Sequence, residues 1–319
     1  MKVGLLGGGN PHALAVARHL RSQDLDVFGI GRGPEKPAPL WLVPEGYRYY
    51  QAHLGTQKQK TLQILDAEKP DVIFNFAAQG EGAASFKTPW AFYHTNCVIL
   101  SRLMEKIRTR KYLKRFVHIS TSELYGSGGP FSETDPVKAT SPYSISKAAF
   151  DLHLETLYRV YGFPMQIVRP SNCVCEGMQL HRVVPQALMA AVGGRKMTLQ
   201  GNAKKSFLHT QDLAEGLLTV LEKGSIGETF NVGPPEATSI REVVQICADV
   251  AGVPFSDFVD EATGRLGEDA QYLLDSSKIS ALGWKQTISL TTAIERMHAW
   301  VVEYKDEILN LPSAYVVTP

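Results

Sequence analysis

Over its first half the chain alternates short apolar runs with segments of helical periodicity, and this alternation restricts the fold more than any other feature. Runs of strand character occupy residues 2–6, 25–30, 47–50, 71–76, 116–120 and 165–169. Between them, near 12–21, 56–68, 88–107 and 143–161, apolar residues recur at helical spacing. Strands alternating with helices predict a parallel sheet covered on both faces, a doubly wound α/β layer. Beyond about residue 170 the rhythm loosens. Helices are expected near 183–192, 211–223, 239–251 and 290–309, joined by links rich in Gly and Pro such as 224–225 and 233–235. This part reads as a smaller α/β lobe set against the carboxyl edge of the sheet, where the cleft for chemistry should lie.

Composition removes several classes of function. The 319 residues are 44% hydrophobic and 20% charged, enough to build a large core, which excludes a disordered chain or a small stapled scaffold. With 33 basic and 32 acidic residues the formal charge is +1, leaving no global field to hold nucleic acid or an acidic membrane. The four cysteines, Cys97, Cys173, Cys175 and Cys247, include no C-x-x-C, and the C-x-C at 173–175 is poor zinc spacing. Neither a disulfide framework nor a metal site is therefore expected. No run approaches the ~18 apolar residues of a membrane span, and the apolar stretch 3–6 is too short for a signal peptide. The expectation is a cytoplasmic protein.

The first strand runs into Gly7-Gly8-Gly9-Asn10-Pro11-His12-Ala13 and then a helix. Glycines permit a tight turn that lets backbone amides and the helix N-terminus approach a pyrophosphate, as in a Rossmann-type layer. Asn10 and Ala13 stand where the later glycines of this pattern usually fall. Asn tolerates left-handed backbone, and Ala is small enough for close helix packing. Gly7, Gly9, Asn10, Pro11 and His12 are accordingly cofactor candidates. The second strand ends Gly29-Ile30-Gly31-Arg32, with no acid to hold a ribose 2′-hydroxyl. Arg32 is either a solvated loop residue or a partner for a 2′-phosphate, which favours NADP over NAD.

Downstream of the fifth strand lie Thr121-Ser122-Glu123 and then Ser141-Pro142-Tyr143-Ser144-Ile145-Ser146-Lys147. Pro142 suits a helix start, which places Tyr143 and Lys147 at i and i+4 on one face. A lysine cation beside a phenol lowers its pKa and suits it to act as a base near neutrality.

With these features in order, the sequence resembles the extended short-chain dehydrogenase/reductase family, the nucleotide-sugar epimerases and dehydratases. The resemblance spans nearly the whole chain. It also includes Phe74-Asn75-Phe76-Ala77-Ala78-Gln79, Thr95-Asn96, Arg169-Pro170-Ser171-Asn172, residues 207–213, Phe230-Asn231-Val232-Gly233 and Leu282-Gly283-Trp284. Thr121-Ser122-Glu123-Leu124-Tyr125-Gly126 is similar to the GDP-mannose 4,6-dehydratases, whereas the 141–147 segment and Tyr272-Leu273-Leu274-Asp275 are shared with dTDP-sugar enzymes. The resemblance implies an NAD(P)-binding Rossmann domain over 1–170 and, over 171–319, mainly a nucleotide-sugar-binding lobe, with the chain able to cross between them. It adds His53, Leu54, Phe76, Ala77, Ala78, Gln79, Asn96 and Arg169 to the cofactor site, together with Tyr143 and Lys147. It assigns Thr121, Asn172, Val184, Lys205 and Arg265 to the substrate, and Glu81, which departs from the family pattern, is a further candidate there.

The chemistry the resemblance implies is a 4,6-dehydration with a tightly bound, regenerated NADP or NAD. Tyr143 would take the sugar 4-hydroxyl proton, tuned by Lys147, while Thr121 positions that hydroxyl. Glu123 would remove the C5 proton that the 4-ketone acidifies, and water would leave from C6. Ser122 stands where dTDP-glucose enzymes have Asp and is a weak proton donor, so Glu123 would also protonate the departing hydroxyl. Three departures mark a specialised member: Gly80-Glu81-Gly82, Ala52-His53-Leu54 and Cys173-Val174-Cys175. Glu81 either adds a carboxylate to the site or caps the next helix. Two alternatives remain, a 4-epimerase or uronate decarboxylase on the same 4-keto chemistry, and a cofactor-sensing binding protein. The helical segments 88–107 and 143–161 resemble the pair through which family members form homodimers.

Overall fold

A computed structural model describes residues 1–262 and 270–317. Its centre is a seven-stranded parallel sheet of β1 (Lys2–Leu6), β2 (Asp26–Gly31), β3 (Arg48–Gln51), β4 (Val72–Asn75), β5 (Arg115–Ile119), β6 (Met165–Pro170) and β7 (Thr229–Val232). Their spatial order is β7-β6-β5-β4-β1-β2-β3, so the strand order reverses between β1 and β4. Strand β1 is buried almost throughout and pairs with β2 and β4, as an interior strand of a doubly covered sheet must be. Edge strand β3, Arg-Tyr-Tyr-Gln, is short and half exposed, which discourages pairing with another chain. The strands expected from the sequence are all present, with ends displaced by a residue or so.

Two apolar layers sandwich the sheet. On one face helices Pro11–Ser22 and Thr210–Lys223 enclose Val3, Leu5, Leu14, Leu213 and Leu217. On the other, Lys58–Glu68, Leu100–Ile107 and Pro142–Tyr161 enclose Leu6, Phe28, Leu103, Phe116 and Phe150. The second lobe has its own core between Val183–Gly193, Ile240–Ala251 and Leu290–Glu303, around Leu188, Val244 and Met297. Strand β7 and helix Thr210–Lys223 belong to the first layer although both lie beyond residue 170. The chain therefore crosses back after contributing Val183–Gly193 to the second lobe.

Two helical expectations are modified. The segment 88–107 runs as Pro89–Tyr93, a π-helical stretch His94–Ile99 and Leu100–Ile107. The segment 290–309 breaks at Tyr304 (φ −111°, ψ 31°) into Leu290–Glu303 and Lys305–Ile308. No helix among the described residues is long and apolar enough to cross a membrane.

Candidate active site

The cleft lies at the carboxyl ends of β1, β4, β5 and β6, facing the second lobe, with a volume of about 1130 Å³. Gly7, at φ +78°, turns the chain out of β1, and a Cβ there would stand 2.7 Å from Ala77 N. Asn10 caps the first helix, its side chain accepting from His12 N at 2.9 Å, and Pro11 takes the first helical position. Gly9 lines the cleft, and its amide makes no hydrogen bond among the described residues. A crowded glycine turn, a helix N-terminus and a spare amide fit a dinucleotide pyrophosphate. His12 also lines the cleft, with Nδ1 3.0 Å from Thr210 Oγ1 and 3.4 Å from Cys175 Sγ. Burial first, then the Arg182 charge, lowers its pKa to about 3.

Arg32, His53, Leu54, Phe76, Ala77, Ala78 and Gln79 all line the cleft. His53 Nδ1 accepts from Gly55 and Thr56 N–H, both at 3.1 Å, and so occupies its ring in local backbone bonds. Asn96 and Arg169 stand behind the wall. Asn96 accepts from Gln79 N at 2.7 Å and donates to Gln79 O and Ser146 Oγ, so it fixes the loop after β4. Arg169 donates to Asp151 Oδ2 at 3.1 Å and to the Tyr125 hydroxyl at 2.8 Å.

Thr121, Ser122, Glu123, Tyr143 and Lys147 converge on the cleft. A Ser141–Ser144 capping box and Pro142 start the helix Pro142–Tyr161, which sets Tyr143 in its first turn. The Thr121 hydroxyl accepts from Glu123 N at 3.2 Å and lies close enough to the Tyr143 phenol to favour its ionised form. A Cβ on Gly82 would lie 3.2 Å from Glu123 Oε2, so this glycine lets the backbone close over the carboxylate.

Lys147 is buried and donates to Ile119 O at 2.7 Å, while its Nζ stands 3.1 Å from His118 Nε2. Burial lowers its pKa to about 8, opposed by Asp151. His118, held far below its usual range by burial and then by Lys147, is neutral, and its Nδ1 is 2.9 Å from Asn75. The expected lowering of the Tyr143 phenol is absent in this state. Burial, then Glu123, pushes the phenol up, opposed by the Thr121 hydroxyl and by Arg182. The Lys147 ammonium is directed at His118 and Ile119.

The opposite wall comes from the second lobe. Asn172, Val184 and Lys205 line it, with Asn172 Nδ2 3.3 Å from Ser206 O and Lys205 Nζ 5.2 Å from the Tyr272 ring centroid. Arg265 lies outside the described residues. Glu81 joins the two walls: its Oε2 is 3.1 Å from Arg182 Nη1 and 3.7 Å from His181 Nε2. Arg182 also donates to Gly80 O. Cys173, which lines the cleft, and Cys175, beside His12, are free thiols pushed up by burial, Cys175 to about 12.

Sequence reasoning missed Arg182, His181, Tyr315, His118 and Asp151. The i, i+4 relation of Lys147 and Asp151 was the one local signal, since both fall on the face that carries Tyr143.

The fold and this constellation define a dinucleotide-binding enzyme with a Tyr/Lys pair at the sheet's carboxyl edge. Residues 13–233 match the NAD dependent epimerase/dehydratase family, and the chain belongs to it. Over 318 residues it is 32% identical to a dTDP-glucose 4,6-dehydratase of Xanthomonas campestris, covering 92% of this chain and 89% of that protein. The crystal structure of DesIV, a dTDP-glucose 4,6-dehydratase from Streptomyces venezuelae with NAD and TYD bound, matches with a TM-score of 0.88. Identity there is 25%, over 96% of this chain and 98% of that one. A Thermus thermophilus UDP-glucose 4-epimerase complexed with NAD shares the fold at a TM-score of 0.86 and 24% identity, over 94% of this chain and 98% of its own.

Proposed function

We propose that this chain is a nucleotide-sugar 4,6-dehydratase, with NAD as its resident cofactor and a dTDP-hexose as the first substrate to test. The observation that carries this reading is Glu123 placed beside Tyr143 and Thr121 on one wall of the cleft. A 4-epimerase has no need of that C5 base. As its phenolate, Tyr143 takes the 4-hydroxyl proton, and Thr121 orients that hydroxyl. Glu123 removes the C5 proton next to the new ketone and, with Ser122 a weak donor, protonates the hydroxyl leaving C6. A bound nicotinamide supplies the hydride acceptor at C4 and the hydride donor at C6.

For the cofactor, Gly7, Gly9, Asn10 and Pro11 would hold the pyrophosphate, and Arg32, Leu54 and Phe76 to Gln79 the remainder. The NAD complexes among the structural neighbours support NAD over the NADP that Arg32 alone favoured. For the substrate, Asn172, Val184, Lys205 and Arg265 would hold the nucleotide diphosphate, which makes 171–319 mainly the sugar-nucleotide lobe and 1–170 mainly the cofactor lobe.

Arg182 supports a second reading. It is a cation in the cleft that acts on Tyr143, and it suits the C6 carboxylate of a uronate, as decarboxylation or uronate epimerisation requires. Its ion pair with Glu81 ranks that reading second.

Incubation with dTDP-, UDP-, GDP- and CDP-sugars followed by mass spectrometry separates the readings. Loss of one water supports dehydration, loss of carbon dioxide supports decarboxylation, and unchanged mass with altered mobility supports epimerisation. If none is turned over and Tyr143→Phe leaves a ligand response intact, the protein is a sensor.

We further propose a cytoplasmic homodimer, supported by four free cysteines and by exposed Trp90, Val98, Ile145 and Leu152 on the adjacent segments Pro89–Ile107 and Pro142–Tyr161. Sedimentation showing only monomer at micromolar concentration would sink the dimer.

A further inference from the structure

The segment after the helix Lys305–Ile308 folds back over the cleft, where Leu311, Pro312, Tyr315 and Val316 join its lining. Tyr315 touches both walls at the place where they face each other. Its hydroxyl donates to Gln79 Oε1 at 2.7 Å and accepts from Gly80 N–H at 3.1 Å. Its ring meets the His181 ring edge-on, with centroids 5.0 Å apart.

Gly80 is therefore gripped through both of its backbone polar groups. Tyr315 takes its N–H, and Arg182 of the second lobe takes the carbonyl. Glu81, the next residue, pairs with that same arginine. Asn96 holds the preceding residue, Gln79, through both backbone groups. Three consecutive residues after β4 are thus tied down by a buried helix residue, a second-lobe arginine and a tyrosine 235 positions away. These ties meet at the loop that closes the cleft beside Ala77 and Ala78. Lifting this loop breaks both Tyr315 hydrogen bonds and the Arg182 bond to Gly80.

We propose that Tyr315 is a positioning residue that clasps the Gln79–Glu81 loop over the bound dinucleotide and thereby slows cofactor release. This rests on the reading of the cleft as a nicotinamide site. It suits an enzyme whose cofactor is restored within each turnover, because slow release then costs nothing in rate.

The test compares wild type, Tyr315→Phe and a chain lacking the residues beyond Pro312, which keeps the packed Ile308 and Leu311. Each is loaded with NADH and chased with excess NAD in a stopped-flow fluorimeter. Tyr315→Phe keeps the ring on His181 and loses both hydrogen bonds, so release should accelerate about 3- to 10-fold. The shortened chain should release at least as fast. The cofactor KM should rise while kcat at saturating cofactor stays within about twofold, a split that a general folding defect would not produce. Release within twofold of wild type in both variants overturns the proposal. So does a drop in the melting temperature of cofactor-free protein with release unchanged, which would make Tyr315 a structural contact only. Release is measured with no sugar present. A panel of unreactive sugars would sink the dehydratase reading and leave this result standing.

Discussion

Two cations reach the cleft from opposite lobes, and the fold treats them differently. Lys147 is enclosed on the sheet side, bonded to a carbonyl and a neutral imidazole, and burial brings its pKa down to about 8. Arg182 comes from the second lobe, partly exposed, with a carboxylate beside it and the Gly80 carbonyl in front. The lysine is held in a state from which it can lose its proton near working pH. The arginine serves as a tie between walls, pairing with Glu81 and the Gly80 carbonyl. The contrast teaches that charge in this site has two jobs, proton chemistry within one lobe and closure between two.

The largest effect expected from this contrast is on turnover. Lys147→Met should lower kcat by about 10²- to 10⁴-fold while the melting temperature stays within about 3 °C, since a desolvated ammonium contributes little to stability. Steady-state kinetics and calorimetry on one preparation check both; a variant that unfolds instead would make Lys147 a structural cation. Next comes Asp151, which supports the lysine side. Asp151→Asn leaves the buried Arg169 without its anion and should cost about 3 kcal/mol of stability in urea denaturation.

The third effect is on the pH dependence of stability. Native Lys147 has a pKa lowered to about 8, so between pH 8 and the unfolded value near 10.4 the unfolded chain binds more protons. The penalty for burying the ammonium is in full force below pH 8 and fades as pH rises. Wild type should gain about 1–3 kcal/mol relative to Lys147→Met between pH 7.5 and 9.5; an unchanged difference would put the lysine pKa near its ordinary value. The smallest effect belongs to the arginine side. Glu81→Gln should raise the sugar-nucleotide KM about 3- to 10-fold with kcat within about threefold, because a partly exposed pair is weak in energy and matters through geometry. A lowered kcat with unchanged KM would instead place Glu81 in the chemistry.

The two walls also differed in how far they could be read from the sequence. The sheet wall was legible because its signals are local. A glycine turn directly follows a strand, Asn10 and Pro11 start a helix, and Tyr143 and Lys147 share a helical face. What spacing could not tell was which side of a strand end or helix faces the cleft, so Asn96 and Arg169 were expected on the wall and stand behind it. The second-lobe wall is assembled from loops. Arg182 meets Glu81 across 101 positions of sequence, and Tyr315 meets Gly80 across 235, distances at which no periodicity carries information. The phenol of Tyr143 is the instructive case. Its position was legible, but its acidity depends on burial and on the Glu123 carboxylate, which the fold brings beside it.

Strand β7 adds a consequence for how such a molecule can change. Because Thr229–Val232 completes the first sheet after the chain has already visited the second lobe, no single cut releases the second half as a piece that could fold alone. Wholesale exchange of that half between relatives would tear an edge from the parent sheet. New substrate preference in this architecture must therefore arise in place, one loop at a time.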